Sequence, residues 1–352
     1  MKLPDDRTRT ILDAGLRAPS AENRHYLRFV LQDDTVWLEA TATAQWQDAP
    51  HQALLAHLSF GAVIENTRLR ALTLGLAQQV QWPAPGEPPQ RIARLQWHAT
   101  RQAPDPLAAA IELRHTNRAF FTREALPPET LQRLAAAATA APGARLLWLN
   151  EPEPRRAALR AIRIAETERF RRKKLHRELF SGVRFDIGWH RSSDEGLPPA
   201  TLAIEAPLRL PFAALRHWPL MRVLGWFGLH HGLGLRSGYL PCATAPHLGV
   251  VAVARGADLR RDALAAGQAL QRVWLAAAAE GLAFQPMASA VALSLQHAGG
   301  GWVSPRAQRE LRALLPETVR DGALQPWMFF RLGRAVPPAV VTGRAPLERY
   351  LG

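Results

Sequence analysis

The chain has one cysteine, Cys242, and only three lysines, Lys2, Lys173 and Lys174. A single thiol excludes an intramolecular disulfide framework and any cysteine-rich metal or iron–sulfur centre. Cys242 therefore reads as a small core residue. No Gly-x-Gly-x-x-Gly, Walker loop, His-Glu-x-x-His or Gly-x-Ser-x-Gly occurs. Dinucleotide-fold, P-loop, zincin and common hydrolase readings thus lack their sequence signatures. His230, His231 and His247 have no acidic or cysteine partners at ligand spacing, so no metal is expected there. Residues 1–10 are charged and contain no apolar h-region, which does not fit a secretory signal. The most apolar long stretch, 206–235, is interrupted by Arg209, Arg216 and Arg222 and cannot be a simple membrane span. A cytoplasmic protein with no membrane partner is expected.

Acidic residues are few beside basic ones: 30 Asp and Glu against 44 Lys and Arg, a net charge of +14. With only three lysines, 41 of the basic residues are arginines, in a chain also rich in Ala, Leu and Pro. That pattern is a composition bias, which spreads basic residues everywhere. A nucleic-acid binder concentrates them on one face beside a recognisable module, and none is found. No nucleic-acid partner is expected.

At 352 residues, 47% hydrophobic and 21% charged, the chain is long enough for about two structural units. Apolar periodicity predicts helices over 8–17, 52–76, 127–141, 155–180 and 259–281, with short ones near 305–315 and 346–351. Strands are predicted over 27–32, 35–40, 92–98, 145–149, 248–254 and 328–332. The fold class is α+β.

Two stretches resemble each other. Gly61 aligned with Gly267, an offset of 206, matches Leu69 with Leu275, Gly75 with Gly281, Leu76 with Leu282 and Gln79 with Gln285. Ala18 and Pro19 match Ala141 and Pro142 at an offset of only 123, so an insertion of about 83 residues is required. It falls within about 151–239. That stretch opens with a basic helix and continues through Pro198, Pro199, Pro207, Pro211 and Pro219, with Trp189, Trp218 and Trp226 among them. Such an excursion is either a lid or a packing arm. Two related halves in one chain would pack about a pseudo-twofold axis, imitating a homodimer. The expected division is 1–103 for a truncated first half and 104–352 for the second.

Arg114, His115, Thr116, Asn117, Arg118, Ala119 and Phe120 place two guanidinium groups around a hydroxyl within five residues. The cluster suits an anion, since Arg offers paired donors and Thr a third, although in so arginine-rich a chain a solvated face fits as well. This run, followed by the helix start from Leu126 to Leu131, resembles the phosphate-binding signature of the nitroreductase superfamily. Those are flavin mononucleotide (FMN) enzymes that usually work as intertwined homodimers. Ala18, Pro19, Ser20, Ala21, Glu22 and Asn23 resemble its Ala-Pro-Ser-x-x-Asn segment, and 281–287, with Gln285, Pro286 and Met287, the stretch over the ring's far side. The tail from Leu332 through Arg344 is similar to its terminal strand and phosphate-contacting basic residue. The fused, lid-bearing form looks most like the Acg-type subgroup.

The resemblance implies a nitroreductase-like pseudo-dimer in which Arg114, Arg118 and Arg344, with His115 and Thr116, hold the FMN phosphate. Pro19, Ser20, Ala21 and Asn23 would meet the ribityl chain or ring, and Gln285, Pro286 and Met287 would border its far face. The first half lacks an Arg-x-Thr-x-Arg run and the second lacks the Ser and Asn, so one flavin per chain is expected. No catalytic side chain is needed, because the flavin carries the chemistry. The implied activity passes electrons from NAD(P)H to a small electron-poor acceptor such as a quinone or nitroaromatic. The competing reading is a non-catalytic flavin-sequestering stress protein with a lid-sealed pocket. A monomer or weak dimer is expected. The chain departs from the family at His25, Tyr26 and Leu27, where Gln-Pro-Trp is common, at Met287 and Ala288, where an acidic-Gly pair is frequent, and at Thr342, often Lys.

Overall fold

The first helix starts where the sequence supplies a cap: the Asp5 carboxylate accepts the Thr8 backbone N–H at 2.7 Å, and α1 runs Asp6–Leu16. The computed structural model describes residues 4–256, 258–295 and 300–352. Strands β1 (Leu27–Gln32) and β2 (Thr35–Ala40) form a hairpin. Helix α2 (Pro50–Thr73) opens with proline in its first turn, where no N–H is missed, and leads to β3 (Leu76–Gln81) and β4 (Arg91–Ala99). These strands make an antiparallel sheet in the order β1-β2-β4-β3.

Helix α3 (Pro128–Ala138) and strand β5 (Ala144–Trp148) begin the same succession again. The chain then leaves the sheet for α4 (Pro152–Arg171), α5 (Lys173–Ser181), α6 (Arg209–Ala214), α7 (Trp218–Trp226), α8 (Leu229–Gly234) and α9 (Leu240–Thr244). It returns as β6 (His247–Ala254), α10 (Leu259–Ala279) and β7 (Ala283–Met287). Helices α11 (Ser289–Ser294) and α12 (Pro305–Val319) precede β8 (Leu324–Gly333). The second sheet is ordered β5-β6-β8-β7, position for position like the first. Each sheet also has one register shift between its two central strands, at Leu38/Glu39 and at Val251/Ala252.

Helices α2 and α10 are apolar over most of their circumference because each is buried between layers. They pack on each other more extensively than any other pair of elements. The crossing is made by glycines: a Cβ on Gly61 would stand 2.1 Å from the Leu264 carbonyl oxygen, and one on Gly267 2.1 Å from that of Leu58. Leu58 and Leu264 are 206 residues apart, as are the glycines, so the contact is reciprocal. The polar pair Glu65 and Asn66 lies beside it. Gln271 donates to Asn66 Oδ1 at 2.7 Å, Asn66 donates to the Ala14 carbonyl at 2.8 Å, and Arg272 pairs with Glu65 at 2.8 Å. This pairs the Glu65 and Asn66 side chains, which would otherwise be costly in a core.

Three expectations need correction. The single helix over 155–180 is two, because Arg172 is extended (φ −98°, ψ 125°) and ends α4. The helix over 52–76 stops at Thr73, and its Gly-Leu-Ala end turns at Gly75 (φ 71°) into edge strand β3. Gly281 (φ 66°) makes the equivalent turn into β7. Neither strand alternates apolar with polar residues, because Gln78 and Gln79 interrupt one and Pro286 the other, so neither registers in the sequence. The helix near 346–351 is a single 3₁₀ turn, Leu347–Tyr350. Beyond β8 the chain crosses to the first sheet, where Gly352 donates to the Phe29 carbonyl at 2.9 Å. Among the described residues no helix is long and apolar enough to cross a membrane.

Candidate functional site

Between the 3₁₀ turn Pro106–Ala110 and α3 the backbone is irregular, and Asn117 fixes it. Its backbone N–H donates to the Phe284 carbonyl at 3.0 Å, and its side chain donates to the Val336 carbonyl at 2.8 Å. The loop is thereby pinned to β7 and to the tail, with Arg114 reaching the first half and Arg118 the segment between β5 and β6. Arg114 donates to the Arg17 carbonyl at 3.1 Å and lies 4.5 Å over the Trp274 ring. Trp274 stacks on Phe284, which stacks on Phe330, with centroids 4.7 and 4.5 Å apart, so the guanidinium rests on an aromatic column rooted in the core. The tail delivers Arg344 from the other side. Arg344 donates to the carbonyls of Leu16 and Ala18, at 3.0 and 3.1 Å, and to Asn23 Oδ1.

These side chains surround a cavity of about 70 Å³, lined also by Pro19, Ser20, His115, Thr116 and, from the segment between β5 and β6, Leu197 and Thr201. Among the described residues, Arg114, Arg118 and Arg344 form no ion pair with a carboxylate; their hydrogen-bond partners are carbonyls, the Asn23 amide and the Thr342 hydroxyl. Burial, and next the Arg344 charge, hold Arg114 well below the usual guanidinium range. Burial pushes Arg118 down to about 10, with Arg169 adding to it, and Arg344 down to about 10, with Arg17 adding to it. Guanidinium groups stay charged, so the cavity wall carries uncompensated positive charge. Ser20 Oγ and Arg114 Nε are buried there without any partner. The arrangement is built for an anion with several oxygens.

A second cavity of about 1100 Å³ adjoins the first, sharing Pro19, Ser20, Glu22, Arg118 and Leu197 as walls. Ala21 lines it from the first half, and Gln285, Pro286 and Met287 from the second. The remaining wall is mostly apolar and comes largely from the helical segment, with Phe170, Leu175, Leu179, Phe212, Leu215 and Leu224. Each residue expected to hold the cofactor thus lines one cavity or the other, although Pro19 and Arg344 lie near opposite ends of the chain. Asn23 differs from its expected role: its amide donates to the Asp194 carbonyl at 3.2 Å and accepts from Arg344, so it ties the tail and the helical segment to the first half. Gln285 likewise accepts from Arg331 at 2.7 Å.

Several features here were not anticipated. Glu22 and Asn23 both adopt the left-handed backbone region (φ 54° and 55°), which is unusual for side chains with a Cβ and collects at functional sites. Glu22 lines both cavities, and burial, with Glu178 nearby, pushes its carboxyl up to about 7 against the pull of Arg169 and Arg24. His25 is held neutral: burial, with Arg344 next, pushes it down to about 3. Its Nε2 lies 3.0 Å from the Leu16 carbonyl, and Nδ1 lies 3.4 Å from Ser59 Oγ. Arg331 is fully buried in β8, against Gln285, the Ala119 carbonyl and the Phe121 ring. The available signal was a lone charge inside the apolar run 327–332.

No protein-family model matches the chain. The uncharacterized protein MT1398 of Mycobacterium tuberculosis (strain CDC 1551 / Oshkosh) is 28% identical over 353 residues, covering 97% of this chain and 47% of that protein. The chain therefore spans about half the length of the curated relative it matches. Similar solved structures include the FMN-dependent nitroreductase NfnB from Mycobacterium smegmatis, in complex with NADPH: 19% identity, 69% of this chain and 97% of that one, TM-score 0.39. Another is a BluB-like flavoprotein from Clostridium difficile 630, at 12% identity, 70% and 97% coverage and TM-score 0.40. A putative nitroreductase in complex with FMN from Desulfovibrio desulfuricans gives 17%, 70%, 94% and 0.36. At these TM-scores the functional reading rests on the chain's own residues.

Proposed function

We propose that the chain is an FMN-dependent oxidoreductase of nitroreductase type, passing electrons from NAD(P)H to an electron-poor acceptor such as a quinone or nitroaromatic. The observation that carries this reading is the small cavity ringed by Arg114, Arg118 and Arg344, none paired with a carboxylate, opening beside a large, mainly apolar one. A phosphate beside a flat, largely apolar ring system matches that division of polarity. The partnerless Ser20 hydroxyl and Arg114 Nε are donors left over for it. FMN, when bound, supplies the two-electron chemistry, so no protein nucleophile is required.

In this reading the three arginines neutralise the phosphate dianion, and Thr116 and Ser20 supply hydroxyl donors. Pro19 and Ala21 on one side and Gln285, Pro286 and Met287 on the other border the space for the ring. The helical segment acts as a lid that excludes water. The two halves, 1–103 and 104–352, pack as a pseudo-dimer, with the lid inserted at about 151–239. Support comes from their shared strand order and from the reciprocal glycine contacts at the α2–α10 crossing. The Acg-type form is the proposed subgroup, and a cytoplasmic monomer or weak dimer the proposed state.

The visible spectrum of the purified protein tests the reading. Flavin absorption, bleached by NAD(P)H and restored by a quinone, is expected. A colourless protein that cannot be reconstituted with FMN overturns it, while bound FMN that NAD(P)H cannot bleach points to a sealed, sequestering pocket. Arg114→Ala with Arg118→Ala should strip the flavin.

A further inference from the structure

The stretch 206–235 contains no Asp or Glu but has three arginines, Arg209, Arg216 and Arg222. It folds as α6, α7 and α8, with two opposite faces that are both apolar. The inner face buries Met221 and Leu215 against Phe170 and Phe180 and, through Phe212 and Leu224, forms cavity wall. The outer face leaves Leu210 81% exposed, Trp226 73% and Phe227 85%, with Val223 beside them. Six of the eleven exposed large apolar side chains among the described residues lie within 208–227, so this is a patch rather than scatter. Trp226 and Phe227 stand together at the end of α7, where Gly228 (φ 85°) turns the chain. Arg222 lies 6.0 Å over the Trp226 ring. Leu208 and Leu220 belong to both surfaces, being exposed and lining the cavity of about 1100 Å³.

We infer that the outer face of α6 and α7 docks on an anionic lipid surface, which places the mouth of the large cavity against the bilayer and lets an apolar ligand pass between them. Aromatic and aliphatic side chains interspersed with cations, and no acid among them, are what an interfacial segment requires. The helices are too short to span and need not do so. The sequence reading tested only for a span, and the arginines that exclude one are the groups that complement lipid phosphates. The docking rests on exposure and charge alone and stands whether or not the cavity holds flavin. It also argues that the ligand of that cavity is lipid-soluble.

Co-sedimentation of the full chain with vesicles decides the matter. Binding to phosphatidylcholine–phosphatidylglycerol vesicles is expected, at least tenfold weaker on phosphatidylcholine alone and weakened by salt. Replacing Trp226→Ala and Phe227→Ala together should reduce it tenfold or more. Arg216→Gln with Arg222→Gln should cost on the order of fivefold per charge. These side chains are exposed, and an unchanged circular dichroism spectrum confirms folding of each variant. Absence of binding to the anionic vesicles overturns the proposal, as does equal binding by the Trp226/Phe227 variant. A dimer that dissociates in that variant, without vesicle binding, assigns the patch to a second copy instead.

Discussion

A guanidinium without a carboxylate is expensive to bury, and Arg118 shows what that implies. Among the described residues its hydrogen-bond partner is the Thr201 carbonyl at 3.1 Å, and burial already weakens its hold on the proton. Replacing an unpaired charge by an apolar group of similar length is often neutral or stabilising. Arg118→Met should therefore leave flavin-free stability within about 1 kcal/mol of the parent while lowering FMN affinity tenfold or more, read by urea unfolding and by quenching of flavin fluorescence. A large loss of stability with unchanged affinity would make Arg118 a structural residue. Glu22 gives a pH signature. Its folded value of about 7 exceeds the ordinary 4.5, so between these values the native chain keeps a proton that the unfolded chain has released. Stability is then highest below about pH 4.5 with respect to this group and falls as pH rises through 7, by roughly 3 kcal/mol in total. Glu22→Gln should flatten that slope, so that the variant gains on the parent from pH 5 to pH 8 in urea unfolding. A parallel pair of pH profiles would exclude Glu22 as the group.

At the scale of elements, the crossing of α2 and α10 tolerates nothing larger than glycine. An added Cβ at Gly61 or Gly267 meets backbone rather than a movable side chain, so the helices must separate. Gly61→Ala and Gly267→Ala should each destabilise by about 3 kcal/mol or more, and by similar amounts because the two contacts are reciprocal. Gly232 in α8 is the control: nothing stands within 4 Å of its added Cβ, and Gly232→Ala should stabilise by roughly 0.5–1 kcal/mol through helix propensity alone. Thermal unfolding of the three variants separates packing from propensity. The central helices were legible in the sequence because they are long and apolar. The break at Arg172 was not, since the apolar stripe from Ala158 to Phe180 continues across it and only the backbone turn reveals two helices. Edge strands β3 and β7 were missed for a different reason: one carries adjacent glutamines, Gln78 and Gln79, and the other a proline, Pro286, so neither shows an apolar alternation.

At the scale of the whole molecule, the small cavity is assembled from four distant stretches: the turn after α1, the loop before α3, the segment between β5 and β6, and the tail that crosses from one sheet to the other. The turn before β5, where the second half would need a matching Ser and Asn, has Pro142, Gly143, Ala144 and Arg145. Titration with FMN should accordingly saturate at one equivalent per chain by isothermal calorimetry, and two equivalents would show that both crossings form a site. The segment between β5 and β6 joins the same design: it closes the small cavity with Thr201, walls the large one and shows its own apolar face outward.

The sequence by itself determined the periodic parts: an α+β class, two long central helices, most strands, and a repeat with an interruption between Glu151 and Tyr239. It also held the residue types from which the proposed anion pocket is read, because arginine, serine and threonine at close spacing are a local pattern. Only the tertiary structure decided which of 41 arginines lack a carboxylate, since ion pairing depends on which chain segments meet and not on spacing. It likewise decided that Asn23 binds the tail, that Glu22 holds its proton near neutrality, and that Trp226 and Phe227 stay outside. Those properties follow from burial and from neighbours more than a hundred residues away, and no local pattern records them.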